Sequence, residues 1–299
     1  MADCNSMVKI TQQVNELNAA ILIFKMRNAQ SWQTSGLEWK MGKDSRHCSA
    51  ALLQELETVS GFLIDWDGCC ALDNRLLGGA ARFLKQNRRR SVIVSNNSTE
   101  TPSEFRDILL QNGVDMPEEQ IVLAGKLAID RALELAPDGV SILGSHAMRV
   151  HAETSGLQLV DEGADIVVLL RDTSFSYERL ERACNDIARG ARLIVANPDM
   201  THPGENGRIK PETGALLAAL LACVGGDDAA FEMIGKPSAD IFQRGLDILS
   251  ERASQAIMIG DNPVTDIAGA EAIGMRGLLV KGDPDRFLDR LCDELEALD

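Results

Sequence analysis

Short apolar runs that stop at polar residues recur along the chain after residue 58, and stretches with helical periodicity separate them. The runs that flank the middle of the chain are residues 61–64, 91–94, 256–259 and 277–280. Between the first two, residues 76–90 place apolar side chains at three- and four-residue steps, which predicts a helix. Strands that are apolar on both faces and alternate with helices are typical of a parallel sheet. The pattern therefore predicts an α/β fold with a doubly wound parallel sheet.

A second block of the same kind lies between the two halves of the first. Its predicted strands are residues 140–143, 166–170 and 193–196. Predicted helices cover residues 177–189 and the Ala/Leu-rich residues 214–224. We therefore expect a second α/β unit at residues 137–229, inserted into a core built from residues 59–136 and 230–299.

The charge balance of the chain changes near residue 58. The 299 residues carry 30 Lys and Arg against 45 Asp and Glu, a net charge of −15. Residues 1–58 hold six basic and six acidic groups, so the whole excess lies on residues 59–299. An acidic protein lacks the positive field that nucleic acids and anionic membranes require, so neither is an expected partner.

The neutral segment 1–58 is an N-terminal extension of unknown role. Its residues 49–58 favour a helix that leads into the first strand, because three leucines fall on one face. Residues 1–40 are open to three interpretations: a docking helix, a disordered tail, or a stretch upstream of a true start at Met41.

Cysteine usage and the first residues indicate the compartment. Seven cysteines, an odd number with no CxxC pair, indicate free thiols in a reducing cytosol. The longest apolar run near the N-terminus, residues 19–24, is far shorter than the ~20 residues that span a bilayer. The first residues also lack the cationic start of a secretory signal. We therefore expect a cytoplasmic protein.

Polar clusters follow the predicted strands. They are Asp65-Trp66-Asp67-Gly68, Ser95-Asn96-Asn97-Ser98, Gly235-Lys236-Pro237 and Gly260-Asp261-Asn262, with Asp266 four residues further on. On an extended chain residues i and i+2 point the same way, so Asp65 and Asp67 can share one pocket. Two close carboxylates favour a bound cation or a raised pKa, and oxygen ligands suit Mg²⁺. With hydroxyl, amide and lysine groups to hold a phosphate, the set supports phosphoryl transfer through an aspartyl-phosphate.

In this order the four clusters resemble the motifs of the haloacid dehalogenase-like phosphatases. The block Val195-Ala196-Asn197-Pro198-Asp199, followed by Pro203, Gly207, Pro211 and Gly214, resembles the class IIA group. That group contains 4-nitrophenylphosphatase-like, phosphoglycolate, pyridoxal-phosphate and nucleotide phosphatases. The resemblance covers about residues 59–299 and implies a Rossmann-like core at residues 59–136 and 230–299, with an α/β cap domain at residues 137–229.

The resemblance also implies a role for each matching residue. Asp65 would be the nucleophile, and Asp67 would protonate the leaving alcohol and then activate water. Mg²⁺ would bind Asp65, the backbone carbonyl of Asp67, and Asp261. The phosphate and substrate contacts would come from Ser95, Asn96, Asn97, Lys236 and, in the cap loop, His202. Asp266 and Asn262 would support the metal site and Lys236.

Three positions depart from the pattern of the family. Trp66 is bulkier than the aliphatic residue usual there, Cys69-Cys70 replaces Thr or Val followed by Leu, and Thr99 stands where some relatives carry an arginine. No base is positioned in the sequence to activate Cys69, so we interpret it as a packed thiol. None of the departures removes a catalytic group. The first two could alter the packing beside the metal, and the third could shift the substrate preference.

The expected function is a Mg²⁺-dependent phosphomonoesterase that hydrolyses a small phosphorylated metabolite through an aspartyl-phosphate. The candidate substrates are sugar phosphates, phosphoglycolate or glycerol phosphate, nucleotides and pyridoxal phosphate. A catalytically silent phospholigand-binding or regulatory protein is the alternative, and a phosphotransferase with an alcohol acceptor is a third. A homodimer through the cap is an open alternative to a monomer.

Overall fold

The computed structural model describes residues 56, 58–203, 208–225 and 230–297. The predicted helix at residues 49–58 lies almost wholly outside these ranges, and so do residues 1–40 and Met41. No helix within the ranges is both long and apolar enough to cross a membrane. The cysteines within them are all free thiols: Cys69, Cys70, Cys184, Cys223 and Cys292.

Strands and helices alternate along the described chain, as the apolar pattern predicts. The first part contains β1 (Gly61–Ile64), β2 (Ala71–Leu72), β3 (Arg75–Leu76), α1 (Gly78–Gln86), β4 (Ser91–Ser95), α2 (Pro102–Gln111), β5 (Ile121–Leu123) and α3 (Ala124–Glu134). The middle part contains β6 (Val140–Leu143), α4 (His146–Thr154), β7 (Ile166–Leu169), α5 (Tyr177–Ala188), β8 (Arg192–Val195), β9 (Thr201–Pro203), β10 (Ile209–Pro211), α6 (Thr213–Val224) and β11 (Phe231–Met233). The last part contains α7 (Ala239–Leu249), β12 (Ala256–Gly260), α8 (Gly269–Ala272), β13 (Arg276–Leu279) and α9 (Pro284–Glu296).

Two parallel sheets organise these elements. The larger has the strand order β13-β12-β1-β4-β5, and the smaller has the order β11-β8-β7-β6. Neighbouring strands are parallel throughout both sheets. Two antiparallel hairpins, β2–β3 and β9–β10, add to them. We call the unit around the larger sheet the core and the unit from β6 to β11 the cap. The predicted α/β fold with a doubly wound, Rossmann-like core is confirmed.

Helices cover both faces of the core sheet because its strands are apolar on both sides. On one face Phe62 of β1 packs edge to face against Phe83 of α1, with ring centroids 5.1 Å apart, and Leu288 of α9 joins the same cluster. On the other face Leu63 belongs to a second cluster with Phe242 of α7. Successive residues of one strand therefore anchor two helical layers, and the strand ends are held in fixed positions.

The helix predicted at residues 76–90 is shorter in the structure. Leu76 pairs in the β2–β3 hairpin instead, and α1 stops before Asn87. The Asn87 side chain is buried and its Nδ2 donates a hydrogen bond to the carbonyl of Phe83 at 3.0 Å, which ends the helix. The three arginines that follow form a single 3₁₀ turn.

The position of β11 bears on the boundary between the two units. The predicted boundary at residues 229 and 230 assigns Phe231–Met233 to the core, whereas the strand pairs in parallel with β8 of the cap sheet. A three-residue strand carries too few residues to show a pattern, so the sequence did not indicate it. The return to the core therefore follows Met233 and leads directly to Lys236.

Candidate active site

The carboxyl ends of three neighbouring core strands bring three of the four predicted clusters together, and the segment after β11 adds the Lys236 cluster. Strands β12, β1 and β4 lie side by side in the sheet, so the residues that follow them meet at one edge. A cavity of about 460 Å³ opens there, between the core and the cap. The predicted site residues that line it are Asp65, Asp67, Ser95, Asn96, Asn97, His202, Lys236, Asp261 and Asn262. Asp266 is fully buried beneath them.

Lys236 forms the centre of a buried charge network. Its Nζ donates to Asp65 Oδ1 at 2.5 Å and to Asp266 Oδ1 at 2.6 Å, and only 2% of its side chain is exposed. Burial opposes the charge of Lys236, but the attraction of Asp266 and Asp65 outweighs it and raises the pKa of the lysine. Lys236 is therefore cationic at neutral pH and fixes the orientation of the Asp65 carboxylate.

Three carboxylates around this lysine form a site that fits a divalent cation. Oxygen atoms of Asp65, Asp261 and Asp266 all lie within 4.8 Å of one another. Burial, with the charges of Asp266 and Asp261, raises the pKa of Asp65, because Lys236 alone does not neutralise the cluster. An all-oxygen set is the kind of site that Mg²⁺ prefers. The cluster contains Asp266, for which the family resemblance implied only a supporting role. The ligand predicted from Asp67 is its backbone carbonyl, and this stays a prediction.

Gly68 makes room for this cluster. Its φ of +82° is in the left-handed region, and a Cβ atom there would lie 2.3 Å from Asp261 Oδ2. The side chain of any other residue would displace the Asp261 carboxylate, so the position after Asp67 requires glycine.

Asp67 lies on the cavity side of the charge network and is exposed to the cavity. Desolvation there, together with the nearby charge of Glu100, raises the pKa of Asp67 to about 6. A carboxyl group that titrates near neutrality can both donate and accept a proton in the working pH range.

The loop after β4 joins the core to the cap. Asn96 Nδ2 donates to Asp199 Oδ2 at 3.0 Å, and Asn96 Oδ1 accepts from the backbone N–H of Lys236 at 2.7 Å. Asn97 Oδ1 accepts the backbone N–H of Thr99 at 2.9 Å and that of Glu100 at 3.1 Å. Both amide side chains therefore hold the shape of the site, and the phosphate-binding role predicted for them stays a prediction.

The cap contributes cavity residues that the sequence analysis did not identify: Arg171, Lys210 and Glu212. The predicted His202 lies among them, and its Nδ1 is 2.5 Å from Glu212 Oε1. Arg171 directly follows the predicted strand at residues 166–170, which ends one residue earlier in the structure, so a polar residue at a strand end was the available signal. Lys210 and Glu212 lie on or next to a three-residue strand, and no pattern marked them.

The β2–β3 hairpin explains the unusual Trp66. The indole is fully buried, its ring centroid is 4.8 Å from that of Phe105, and Nε1 donates to Asn74 Oδ1 at 3.3 Å. Asn74 in turn donates to Glu100 at 3.0 Å, and its neighbour Asp73 forms an ion pair with Lys210 of the cap at 2.9 Å. Trp66 therefore supports the hairpin that meets the cap.

The thiols after Gly68 are packed, as interpreted from the sequence. Cys69 and Cys70 are both fully buried in the core. The hydrogen bond between the two thiols, with burial, raises the pKa of Cys69 well above its usual value, which disfavours a nucleophilic thiolate.

Known proteins with the same arrangement identify the family. Residues 62–158 match the haloacid dehalogenase-like hydrolase family, and residues 233–287 match the HAD-hydrolase-like family. The 5'-nucleotidase YutF of Bacillus subtilis is 32% identical over 75% of this chain and 88% of its own length. The acid sugar phosphatase of Staphylococcus epidermidis is 32% identical over 78% of this chain and 91% of its own length.

A solved structure agrees with these relatives. The 4-nitrophenylphosphatase of Thermotoga maritima superposes with a TM-score of 0.71 at 25% identity, over 82% of this chain and 99% of that one. The chain therefore belongs to the haloacid dehalogenase-like hydrolases, in the class IIA phosphatase group.

Proposed function

We propose that this chain is a Mg²⁺-dependent phosphomonoesterase for small phosphorylated metabolites, acting through a phosphorylated Asp65. One observation carries the proposal: Lys236 holds the Asp65 carboxylate at the floor of the cavity, while Asp67 faces the same cavity two residues later. The names of the relatives, which are phosphatases, support the same reaction class.

The first step transfers the phosphoryl group to the enzyme. An oxygen of Asp65 attacks phosphorus, the bond between phosphorus and the ester oxygen breaks, and Asp67 gives its proton to the departing oxygen. Lys236 keeps Asp65 in the orientation for attack and contributes positive charge beside the phosphate.

The second step returns the enzyme to its starting state. Asp67, now a carboxylate, takes a proton from water, and the water oxygen attacks phosphorus as the bond to Asp65 breaks. Inorganic phosphate leaves, and Asp65 is again a carboxylate. Mg²⁺ bound by Asp65, Asp261 and Asp266 would neutralise charge on the phosphoryl oxygens.

The cavity sets the size of the substrate. At about 460 Å³ between core and cap, it suits a metabolite and excludes a folded phosphoprotein.

The proposal includes the cytoplasmic location, which the free thiols support. A homodimer through the cap, the silent phospholigand-binding alternative and the phosphotransferase alternative all stay predictions.

Metal removal tests the proposal. Hydrolysis of 4-nitrophenyl phosphate by the full chain should fall at least about 100-fold after treatment with EDTA, because the carboxylate cluster then repels the substrate phosphate. Added Mg²⁺ should restore the rate. Undiminished turnover in EDTA would contradict the metal dependence, and binding of phosphorylated ligands without phosphate release would favour the silent alternative. Transfer to an added alcohol at the expense of free phosphate would favour the phosphotransferase.

A further inference from the structure

We infer that Arg171 and Glu212, which we call the cap pair, bind the leaving group of the substrate and select a small polyhydroxylated one, a sugar or polyol phosphate. The inference rests on the proposed function and names the substrate class of that site. Neither residue belongs to the predicted catalytic set, and both lie on the cap side of the cavity.

Arg171 is held in place, but not every N–H group of its guanidinium has a hydrogen-bond partner. Its backbone N–H donates to Ser98 Oγ at 3.0 Å, and its Nη1 lies 3.5 Å from Thr99 Oγ1. Nε lies 3.4 Å from Glu212 Oε1, and within the described part of the chain this buried atom has no hydrogen-bond partner. A desolvated guanidinium without full hydrogen bonding has a strong free-energy gain from a ligand oxygen.

The position of Arg171 relative to Asp67 indicates which part of the substrate it meets. Both residues line the same cavity, Asp67 from the core and Arg171 from the cap. Asp67 must contact the ester oxygen to protonate it. The atoms of the leaving group next to that oxygen therefore lie between the core and Arg171.

Glu212 supplies the complementary hydrogen-bonding group. Its side chain is 15% exposed, and its Oε1 lies 2.5 Å from His202 Nδ1. Burial, with the charges of Asp199 and Asp67, raises the pKa of Glu212 to about 7 against the attraction of Arg171. Beside Arg171 there is thus a carboxyl group that can accept from, or donate to, a hydroxyl group.

The rest of the lining favours hydroxyl groups over rings. Among the described residues around the cavity there is no Phe, Tyr or Trp, and Leu72 is the largest aliphatic side chain. A nucleobase or a pyridine ring would meet the single imidazole of His202, which lies 2.5 Å from Glu212, and no larger aromatic ring for stacking among these residues. Sites that hydrogen-bond hydroxyl groups discriminate strongly, because a ligand without them leaves buried polar groups unpaired.

The charges on the cap side also argue against a second anionic group on the substrate. Lys210 is paired with Asp73, and Arg171 lies next to Glu212. Glu100 adds a further negative charge to the same lining. The cap side therefore has no excess of positive charge, and a carboxylate such as that of phosphoglycolate gains little there.

Kinetics on matched substrates test the inference. Wild type should have a higher kcat/KM for glycerol 3-phosphate or a hexose 6-phosphate than for phosphoglycolate or a nucleoside 5'-monophosphate. In Arg171→Met, kcat/KM for the hydroxylated esters should fall by about 10- to 100-fold, chiefly through KM. With 4-nitrophenyl phosphate, whose leaving group carries no hydroxyl, the change should stay within about threefold. Arg182→Met, on the outer cap helix α5, is the matched control and should leave both activities unchanged.

Two further variants separate recognition from folding. Glu212→Gln retains hydrogen bonding and should keep most of the activity on hydroxylated esters, whereas Glu212→Ala should lose it as Arg171→Met does. Three outcomes would overturn the inference and leave the proposed function intact. In Arg171→Met, kcat/KM could fall equally for all esters or for none of them. Wild type could also prefer nucleotides or phosphoglycolate. Wild type that hydrolyses none of these esters with Mg²⁺ would instead contradict the proposed function.

Discussion

Asp65→Asn should abolish turnover of 4-nitrophenyl phosphate, with a fall in kcat of about 10⁴-fold or more, the scale seen when a nucleophile is removed. The amide has the same shape as the carboxylate but is a poor nucleophile. The fold should persist, because the amide keeps the shape of the carboxylate and Lys236 stays paired with Asp266 at 2.6 Å. Initial rates with Mg²⁺ and thermal unfolding, measured on the same preparation, check both parts.

The control for this variant is a carboxylate of the same type away from the cavity. Asp130 forms an ion pair with Lys126 at 2.5 Å on the surface of α3. Asp130→Asn should leave kcat and KM unchanged. If Asp65→Asn retained a tenth of the wild-type rate or more, Asp65 could not be the nucleophile.

Lys236→Met should lower both the activity and the stability of the protein. The lysine is 2% exposed and is bonded to two carboxylates, so its loss leaves Asp65 and Asp266 buried without a counter-charge. Breaking a buried pair from one side costs about 3–5 kcal/mol of unfolding free energy. We expect that loss in urea denaturation, together with a fall in kcat/KM of about 10³-fold, since Asp65 also loses its orientation.

Two comparisons test whether the lost stability comes from the missing counter-charge or from replacing any lysine by methionine. Lys126→Met removes a lysine from an exposed pair and should change stability by less than about 1 kcal/mol. Adding Asp266→Asn to Lys236→Met should recover part of the lost stability, because one uncompensated charge disappears, but should not recover activity. A Lys236→Met protein as stable as Lys126→Met would contradict the buried charge network.

Much of the fold follows from the apolar pattern because parallel strands buried on both faces are continuous apolar runs. The run at residues 140–143 matches β6, and the runs at 61–64 and 256–259 match β1 and β12 to within one residue. The two- and three-residue strands were missed, because such short segments show no apolar pattern: β2, β3, β5, β9, β10 and β11. Asn87 shortened α1 through a side-chain hydrogen bond that periodicity does not show.

In the site, too, some positions could be predicted from the sequence and others could not. Asp65, Ser95 and Asp261 could be predicted to converge, because each lies at the carboxyl end of a strand at the same edge of one sheet. The cap pair could not, because its position depends on how a separate sheet is placed above the core. Trp66 looked like a departure that could disturb the site, and only the contact with Asn74 shows that it supports a hairpin.

The central claim is that Asp65 becomes phosphorylated and that Asp67 then activates water. A rapid-mixing experiment with Asp67→Asn and 4-nitrophenyl phosphate tests it most directly, because nitrophenolate leaves without a proton whereas the second step still needs the base. We predict a burst of one equivalent of nitrophenolate per enzyme, followed by slow release of phosphate, and no burst when Asp65→Asn is added. Linear release without a burst, or a burst that survives Asp65→Asn, would contradict the account.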